Sequence, residues 1–158
     1  MAVYERQTRV RAPLEDVWEF HSNVSGLETL TPDWLGLRVE SVVGPDGEPD
    51  PAVLEAGSTI SLSLQPFGVG LRQHWTSVIR VRERTNGTAY FRDTMADGPF
   101  KTWIHTHVFY ADGDETILRD HVEYELLGPL DGVTAPFSML GFEAMFRNRH
   151  QQTKAVLE

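Results

Sequence analysis

The feature that most constrains the fold is a series of strand-like segments that ends in one long helical segment. Turn residues bound five consecutive segments of alternating apolar side chains, which predict strands at 58–64, 71–83, 88–95, 100–110 and 116–127. From about residue 135 to residue 157, apolar side chains recur at helical spacing instead, with Thr134 as a candidate N-cap. A single sheet with one helix to cover its apolar face must curl around that helix, so the pattern predicts an α+β fold.

The N-terminal third adds a strand, two short helices and a further strand. Residues 2–11 alternate and predict the first strand. Pro13 is expected to open a helix, and a second short helix is expected over residues 24–30. Residues 34–43 predict the next strand, which brings the expected sheet to about seven antiparallel strands.

Composition excludes several classes of function. The length of 158 residues predicts a single domain over residues 1–158, and the net charge of −9 argues against nucleic-acid binding. There is no cysteine, and therefore no disulfide and no thiolate ligand or nucleophile. No window approaches the roughly 18 apolar residues of a membrane span, and the N-terminus resembles a strand and not a signal peptide. We expect a cytoplasmic protein, monomeric or homodimeric.

Two histidines are predicted on the buried face of one strand. Trp103, His105, His107 and Phe109 occupy every second position, so their side chains share one face. The Trp and Phe side chains identify that face as the buried one, where an unpaired polar group is costly. The two histidines must therefore have partners or contact a ligand.

Neighbouring strands are expected to add acidic and aromatic side chains to this face. Alternation places inward Leu71, Gln73, Trp75, Ser77, Ile79 and Val81 on one strand, Phe91, Asp93 and Met95 on the next, and Leu118, Asp120, Val122, Tyr124 and Leu126 on the last. Because sequential antiparallel strands are usually neighbours, the polar members should converge on one patch. This polar patch consists of Asp93, His105, His107, Asp120 and Tyr124. The opposite face carries charges expected to be solvated, namely Arg72, Arg80, Arg82 and Arg84.

The first interpretation of the polar patch is an internal hydrogen-bond network. Buried carboxylates and histidines persist when they are paired, and an Asp–His pair across two strands satisfies both partners.

The second interpretation is enzymatic. One of the two histidines would act as a general base oriented by Asp93 or Asp120, and Tyr124 would donate to a developing oxyanion. Aromatic cyclisation and dehydration need a base to form an enolate and an acid to take the leaving oxygen. The sequence contains nothing that separates a working pair from a structural one.

A metal site is the third interpretation. His-x-His on a strand places both rings on one side, and Asp93 or Asp120 could complete a two-His, one-carboxylate set. The flanking Trp103 and Phe109 indicate packing instead, so we expect no metal and no cofactor.

The remaining histidines and the last helix offer weaker candidates. Solvated positions are expected for His21, His74, His121 and His150. Arg149 lies on the predicted inward stripe of the last helix, where it could bind a ligand carboxylate but is expected to pair with an inward Asp. A cavity mouth or ordinary core could be formed by Phe137, Met139, Leu140, Phe142 and Met145. Gly141 suggests a bend or a close approach of another segment.

Four short stretches resemble a known superfamily. They are Leu27-Glu-Thr-Leu-Thr-Pro32, residues 93–109, Asp120-His-Val-Glu-Tyr124 and Phe146-Arg-Asn-Arg-His150. Together with the predicted order of elements over nearly the whole chain, they resemble the START/Bet v 1-like (SRPBCC) superfamily, in its ligand-binding or polyketide cyclase/dehydrase-like branch. The resemblance implies a helix-grip fold, in which a curved antiparallel sheet wraps around a long C-terminal helix and leaves an internal cavity.

The resemblance also implies a function. The expected activity is binding of a small hydrophobic or aromatic molecule, such as a lipid, a quinone or a polyketide-like compound, in that cavity. Because the fold hosts carriers, sensors and enzymes, a cyclase or dehydratase acting as a lyase or isomerase is the alternative. The third class, a pure interaction module, would expose a large apolar patch on the last helix. The expected ligand contacts are Trp75, Phe91, Asp93, Met95, Trp103, His105, His107, Phe109, Asp120, Tyr124, Phe142, Met145, Phe146 and Arg149.

Overall fold

Seven strands form one open antiparallel sheet. The computed structural model describes residues 1–98, 100–126 and 131–158, and for residues 131–140 it describes the backbone alone. The strands are β1 (Ala2–Val10), β2 (Arg38–Val43), β3 (Thr59–Leu64), β4 (Gln73–Thr85), β5 (Thr88–Ala96), β6 (Phe100–Asp112) and β7 (Glu115–Leu126). Their order across the sheet is β1-β7-β6-β5-β4-β3-β2, so β2 to β7 are sequential neighbours and β1 pairs with β7. The predicted number of strands and their antiparallel pairing are confirmed.

Three helices cover one face of this sheet. Helices α1 (Leu14–His21) and α2 (Val24–Leu30) follow β1, and α3 (Asp131–Leu157) comes after β7. The side chain of Asn23 caps α2 by accepting a hydrogen bond from the backbone N–H of Gly26 at 2.9 Å. Helix α3 contacts β1, β7, α1 and α2. This is the helix-grip arrangement that the order of elements predicts.

Three elements begin two or more residues away from their predicted start. Strand β2 begins at Arg38 and not at residue 34, because Trp34 belongs to a short 3-10 turn. Strand β4 begins at Gln73, and Leu71 is 89% exposed where an inward position was predicted. Helix α3 begins at Asp131, so Thr134 lies inside the helix and is not its N-cap. The predicted strand end at 127 lies outside the described residues.

A β-bulge in β4 reverses the alternation of its last residues. The register with β5 shifts between Ile79 and Val81, so Arg80 is an additional residue on β4 that has no partner position on β5. Beyond the bulge, Arg82 faces the helices, and its guanidinium carbon lies 4.5 Å from the centre of the Trp18 ring. The predicted solvated Arg82 and inward Val81 are therefore wrong, because the sequence of residue types does not reveal where a bulge will form.

Among the described side chains, the buried apolar residues form three clusters. The first joins α1 to the sheet and includes Trp18 and Phe109, and the second joins α3 to the sheet and includes Trp103 and Phe146. The third lies beneath the β2–β4 end of the sheet. Because the two β6 histidines lie between Trp103 and Phe109, polar side chains separate the first cluster from the second. Among the described residues, no helix is long and apolar enough to cross a membrane.

Candidate functional site

A cavity of about 370 Å³ lies between the sheet, α2 and α3. This volume falls within the range of roughly 300 to 1,000 Å³ that is usual for small-molecule sites. The walls are mainly apolar: Leu27, Leu30, Trp34, Leu35, Leu37, Leu54, Ile60, Leu62, Leu64, Trp75, Ile79, Phe91, Met95, Phe100, Trp103, Phe142, Met145 and Phe146. The polar side chains on the walls are His21, Asn23, Thr31, Ser77, Asp93, His105, His107 and Arg149.

Most of the predicted ligand contacts line this cavity, and three lie behind its wall. Phe109 is fully buried and packs edge-on against Trp18, with ring centres 5.4 Å apart. Tyr124 packs edge-on against Phe142 at 4.9 Å and so belongs to the aromatic cluster under α3 and not to the polar patch. Asp120 is buried beneath the two β6 histidines.

Sequence reasoning missed the wall formed by α2 and β3. Leu27 and Leu30 come from α2, and Ile60 and Leu62 come from β3. An apolar stripe shows that a helix or strand is buried, but it does not show which element lies opposite. The predicted cavity-mouth residues at 137, 139 and 140 lie outside the described side chains.

Strand register brings the acids and histidines together. His105 pairs with Asp93 on β5, and His107 pairs with Asp120 on β7. The two imidazole rings lie against each other with centres 3.5 Å apart, and His107 also stacks on Phe91 at 3.8 Å. Both histidines are buried, at 6% and 4% exposure. The predicted convergence is thus present for the two acids and the two histidines.

Asp120 is the central acceptor of the patch. Its Oδ1 accepts a hydrogen bond from His105 Nε2 at 2.8 Å, and its Oδ2 accepts one from His150 Nε2 at 2.6 Å. His107 Nδ1 lies 3.3 Å from the same Oδ1, outside hydrogen-bond geometry. Burial alone would raise the pKa of Asp120, but the imidazoles of His105, His107 and His150 hold that pKa well below its ordinary value.

Asp93 faces the cavity from the other side of the histidine pair. Its Oδ2 accepts from His107 Nε2 at 3.0 Å, and its Oδ1 accepts from Trp103 Nε1 at 3.4 Å. Burial would raise the pKa of Asp93, but the hydrogen bond from His107 and the nearby His105 lower it overall. Asp93, His105 and His107 also have the donor atoms and spacing that could hold a metal ion.

The two β6 histidines differ in basicity. Burial, assisted by repulsion from His107, lowers the pKa of His105 to about 4. Burial would also lower the pKa of His107, but its position between Asp120 and Asp93 raises that pKa overall. Near neutral pH, His105 is therefore a neutral imidazole and His107 is the better proton holder.

His150 and His21 are buried, contrary to the solvated positions predicted for them. His150 is 2% exposed and follows Phe146 by four residues, as Phe146 follows Phe142, so the spacing already contained the signal for an inward position. His21 is 8% exposed, and its Nδ1 donates to the carbonyl of Val17 at 2.8 Å. Burial lowers the pKa of His21 to about 3.

Arg149 reaches the cavity from α3 without a carboxylate partner among the described side chains. Its guanidinium carbon lies 6.0 Å from the centre of the Phe146 ring, and the residue is part of the cavity wall. The predicted ion pair with an inward Asp is absent from the described part of the chain. A cationic side chain thus faces the cavity.

The comparisons with known proteins agree with this architecture. The chain belongs to the family described as polyketide cyclase / dehydrase and lipid transport, whose sequence profile matches residues 10–152, and the predicted superfamily is thereby confirmed. No curated protein matches the sequence significantly.

Solved structures share the fold at low sequence identity. Truncated norcoclaurine synthase from Thalictrum flavum is 19% identical, with a TM-score of 0.69 over 99% of this chain and 94% of that chain. A START superfamily protein from Mycobacterium smegmatis is 14% identical, with a TM-score of 0.64 over 98% and 96%. Ara h 8.0201 is 11% identical, with a TM-score of 0.62 over 98% of each chain. At these identities, the likeness shows the helix-grip fold and not the activity.

Proposed function

We propose that this protein reversibly binds a small hydrophobic or aromatic molecule in the cavity between the sheet, α2 and α3. The observation that carries the proposal is the make-up of the cavity wall, which is apolar except for eight polar side chains, half of them on β5, β6 and α3. Ligand pockets usually combine a large apolar surface with a few polar groups that fix orientation. Membership of a family described by cyclase, dehydrase and lipid-transport activity supports the same proposal.

The polar wall suggests the chemistry of the ligand. Arg149 offers a guanidinium that pairs with no carboxylate among the described side chains, which favours a carboxylate, an enolate or another anionic oxygen in the ligand. Apolar side chains such as Leu62 and Trp75 would contact the rest of the molecule. A lipid, quinone or polyketide-like compound with one oxygen-rich end fits both requirements.

Filling the cavity tests the proposal directly. Ser77 lines the cavity, whereas Thr76 precedes it on β4 and points to the opposite face of the sheet. The aromatic anion 1-anilinonaphthalene-8-sulfonate should bind the wild-type protein saturably at one site, with enhanced fluorescence. Ser77→Phe should weaken this binding by at least about tenfold, and Thr76→Phe should leave it unchanged.

Two results would contradict the proposal. One is the absence of saturable dye binding to the wild-type protein. The other is equal affinity in Ser77→Phe and Thr76→Phe, provided that both variants keep the wild-type circular dichroism spectrum.

A cyclase or dehydratase is the second candidate, favoured by the hydrogen-bonded pair of Asp93 and His107 on the cavity wall. A carboxylate that orients an imidazole beside an apolar cavity is a suitable general acid–base arrangement. Turnover of a poly-β-ketone thioester should then be lost in His105→Ala and His107→Ala variants that still fold and bind the dye. If the variants lose folding and dye binding together, the pair has a structural role in the hydrogen-bond network and not a catalytic one.

An interaction module has less support. Among the described side chains of α3, Val156 is the large apolar residue that is exposed, at 49%. The single domain, the monomeric or homodimeric state, the cytoplasmic location and the absence of nucleic-acid binding stay predictions.

A further inference from the structure

We propose that Asp93, His105 and His107 bind one divalent transition-metal ion, of the class of Zn²⁺, Fe²⁺ or Co²⁺, on the wall of the cavity. Each side chain offers one ligand atom, and these three atoms lie within 4.8 Å of one another. Two imidazoles and one carboxylate form a donor set that these ions accept. The sequence pattern alone favours packing at these positions, but the hydrogen bonds around Asp120 favour a metal site. The inference is independent of whether the cavity binds an organic ligand.

Asp120 determines which nitrogen of His105 is free. A carboxylate only accepts hydrogen bonds, and Asp120 Oδ1 lies 2.8 Å from His105 Nε2, so Nε2 carries the hydrogen. A neutral imidazole then has its lone pair on Nδ1. That atom lies 3.8 Å from Asp93 Oδ2, on the cavity side of the ring.

In His107 the two ring nitrogens have exchanged places, with Nδ1 toward Asp120 and Nε2 toward Asp93. Its Nδ1 lies 3.3 Å from Asp120 Oδ1 and is buried without a hydrogen-bond partner, and its Nε2 lies 3.0 Å from Asp93 Oδ2. A metal ion at Nε2 would replace the proton that His107 now donates to Asp93, and the remaining ring hydrogen would then lie on Nδ1, 3.3 Å from Asp120 Oδ1.

A second layer of hydrogen bonds holds these ligands in place. His150 Nε2 donates to Asp120 Oδ2 at 2.6 Å and fixes the carboxylate that orients His105. Trp103 Nε1 donates to Asp93 Oδ1 at 3.4 Å and leaves Oδ2 for the metal. Partners of this kind orient metal ligands and typically contribute about 10- to 100-fold in affinity.

The open coordination positions would face the cavity. Asp93, His105 and His107 all belong to the cavity wall. Three protein ligands leave at least one position for water or for an oxygen atom of a bound molecule.

Metal titration of the apoprotein tests the inference. The protein is dialysed against EDTA and then against chelator-free buffer at pH 7.5, and Zn²⁺ binding is followed by calorimetry and Co²⁺ binding by visible absorption. We expect one ion per chain, with micromolar or tighter affinity. Asp93→Asn and His105→Gln should each weaken binding by at least about 100-fold, and Asp120→Asn by about 10- to 100-fold.

His74→Gln is the matched control, because His74 is exposed on β4 and lies outside the cavity wall. Its metal affinity should equal that of the wild type. The inference is overturned if the wild type shows no saturable binding at millimolar metal, if Asp93→Asn and His105→Gln bind normally, or if His74→Gln alone loses binding.

A measurement on the wild-type protein covers the case in which a variant fails to fold. Zn²⁺ should shift the ring nitrogen resonances of His105 and His107 at one equivalent and leave those of His74 in place. Shifts confined to the exposed histidines would overturn the inference. Because neither readout uses an organic ligand, failure of the metal site and failure of the proposed dye binding are distinguishable.

Discussion

Replacing Asp120 by alanine should lower the free energy of unfolding by about 3 to 5 kcal/mol. Asp120 is 2% exposed and accepts hydrogen bonds from His105 at 2.8 Å and His150 at 2.6 Å. A hydrogen bond to a charged group contributes about 1.5 to 3 kcal/mol, and the variant leaves two buried N–H groups without an acceptor. Two such bonds give about 3 to 6 kcal/mol, and breaking a buried ion pair costs about 3 to 5 kcal/mol, which sets the expected range.

Glu5→Ala is the matched control. Glu5 lies on β1, its side chain is 42% exposed, and its carboxylate accepts a hydrogen bond from His121 at 2.8 Å. The distance matches that between Asp120 and His105, and Glu5 also accepts from Arg119, so each carboxylate has two side-chain donors and the main difference is burial. Because exposed ion pairs contribute about 0 to 1 kcal/mol, Glu5→Ala should cost less than about 1 kcal/mol.

Urea unfolding at pH 7.5 with EDTA present measures both losses. Tryptophan fluorescence and far-ultraviolet circular dichroism should give the same transition, and equal m values would show that only stability has changed. A loss below about 1.5 kcal/mol for Asp120→Ala, or a loss equal to that of Glu5→Ala, would refute the conclusion that the buried network stabilises the fold.

Three further predictions concern stability. Burial lowers the pKa of His21 to about 3, so below its unfolded pKa of about 6.5 the unfolded chain takes up a proton that the folded protein does not. The free energy of unfolding should fall as the pH drops from about 6.5 toward 3, by up to about 1.4 kcal/mol per pH unit from this group. In urea titrations, His21→Gln should reduce this dependence of the unfolding free energy on pH, and an unchanged dependence would contradict the prediction. Phe146→Ala removes a fully buried ring stacked 5.2 Å from Tyr4 and should lower the free energy of unfolding by about 3 to 5 kcal/mol in urea. A loss as small as that of Val156→Ala, which truncates an exposed side chain, would contradict a packing role for Phe146. Gly26→Ala should destabilise the protein because a Cβ there would lie 2.1 Å from a backbone oxygen. Gly141→Ala meets no described atom within 4 Å and should raise the melting temperature through about 1 kcal/mol of helix propensity. A change in melting temperature of the same sign in both variants would show that these contacts do not decide the outcome.

The sequence predicts the strand side of the site well. Alternation over β6 places Trp103, His105 and His107 on the inner face, where they are found. This succeeds because β6 and β7 stay in register from residue 102 to residue 112, so the period of two holds along the strand.

Three features of the structure depend on long-range packing and could not be predicted as well. The bulge at Arg80 turned Arg82 inward, because a shift in pairing depends on the neighbouring strand. The four-residue spacing from Phe146 indicates an inward His150, contrary to the predicted solvated position, but spacing does not show whether Arg149 or His150 reaches Asp120. The open volume between α2, β3 and α3 depends on how side chains from distant segments pack, which periodicity does not encode.

Native mass spectrometry tests the central claim most directly. The wild-type protein and Ser77→Phe are incubated with the same mixture of fatty acids, quinones and aromatic polyketides, and their native masses are compared with their denatured masses. Binding in the cavity predicts a non-covalent adduct of one organic molecule on the wild type and a strongly reduced adduct on Ser77→Phe. A bare wild-type mass, or equal adducts on both proteins, would contradict it.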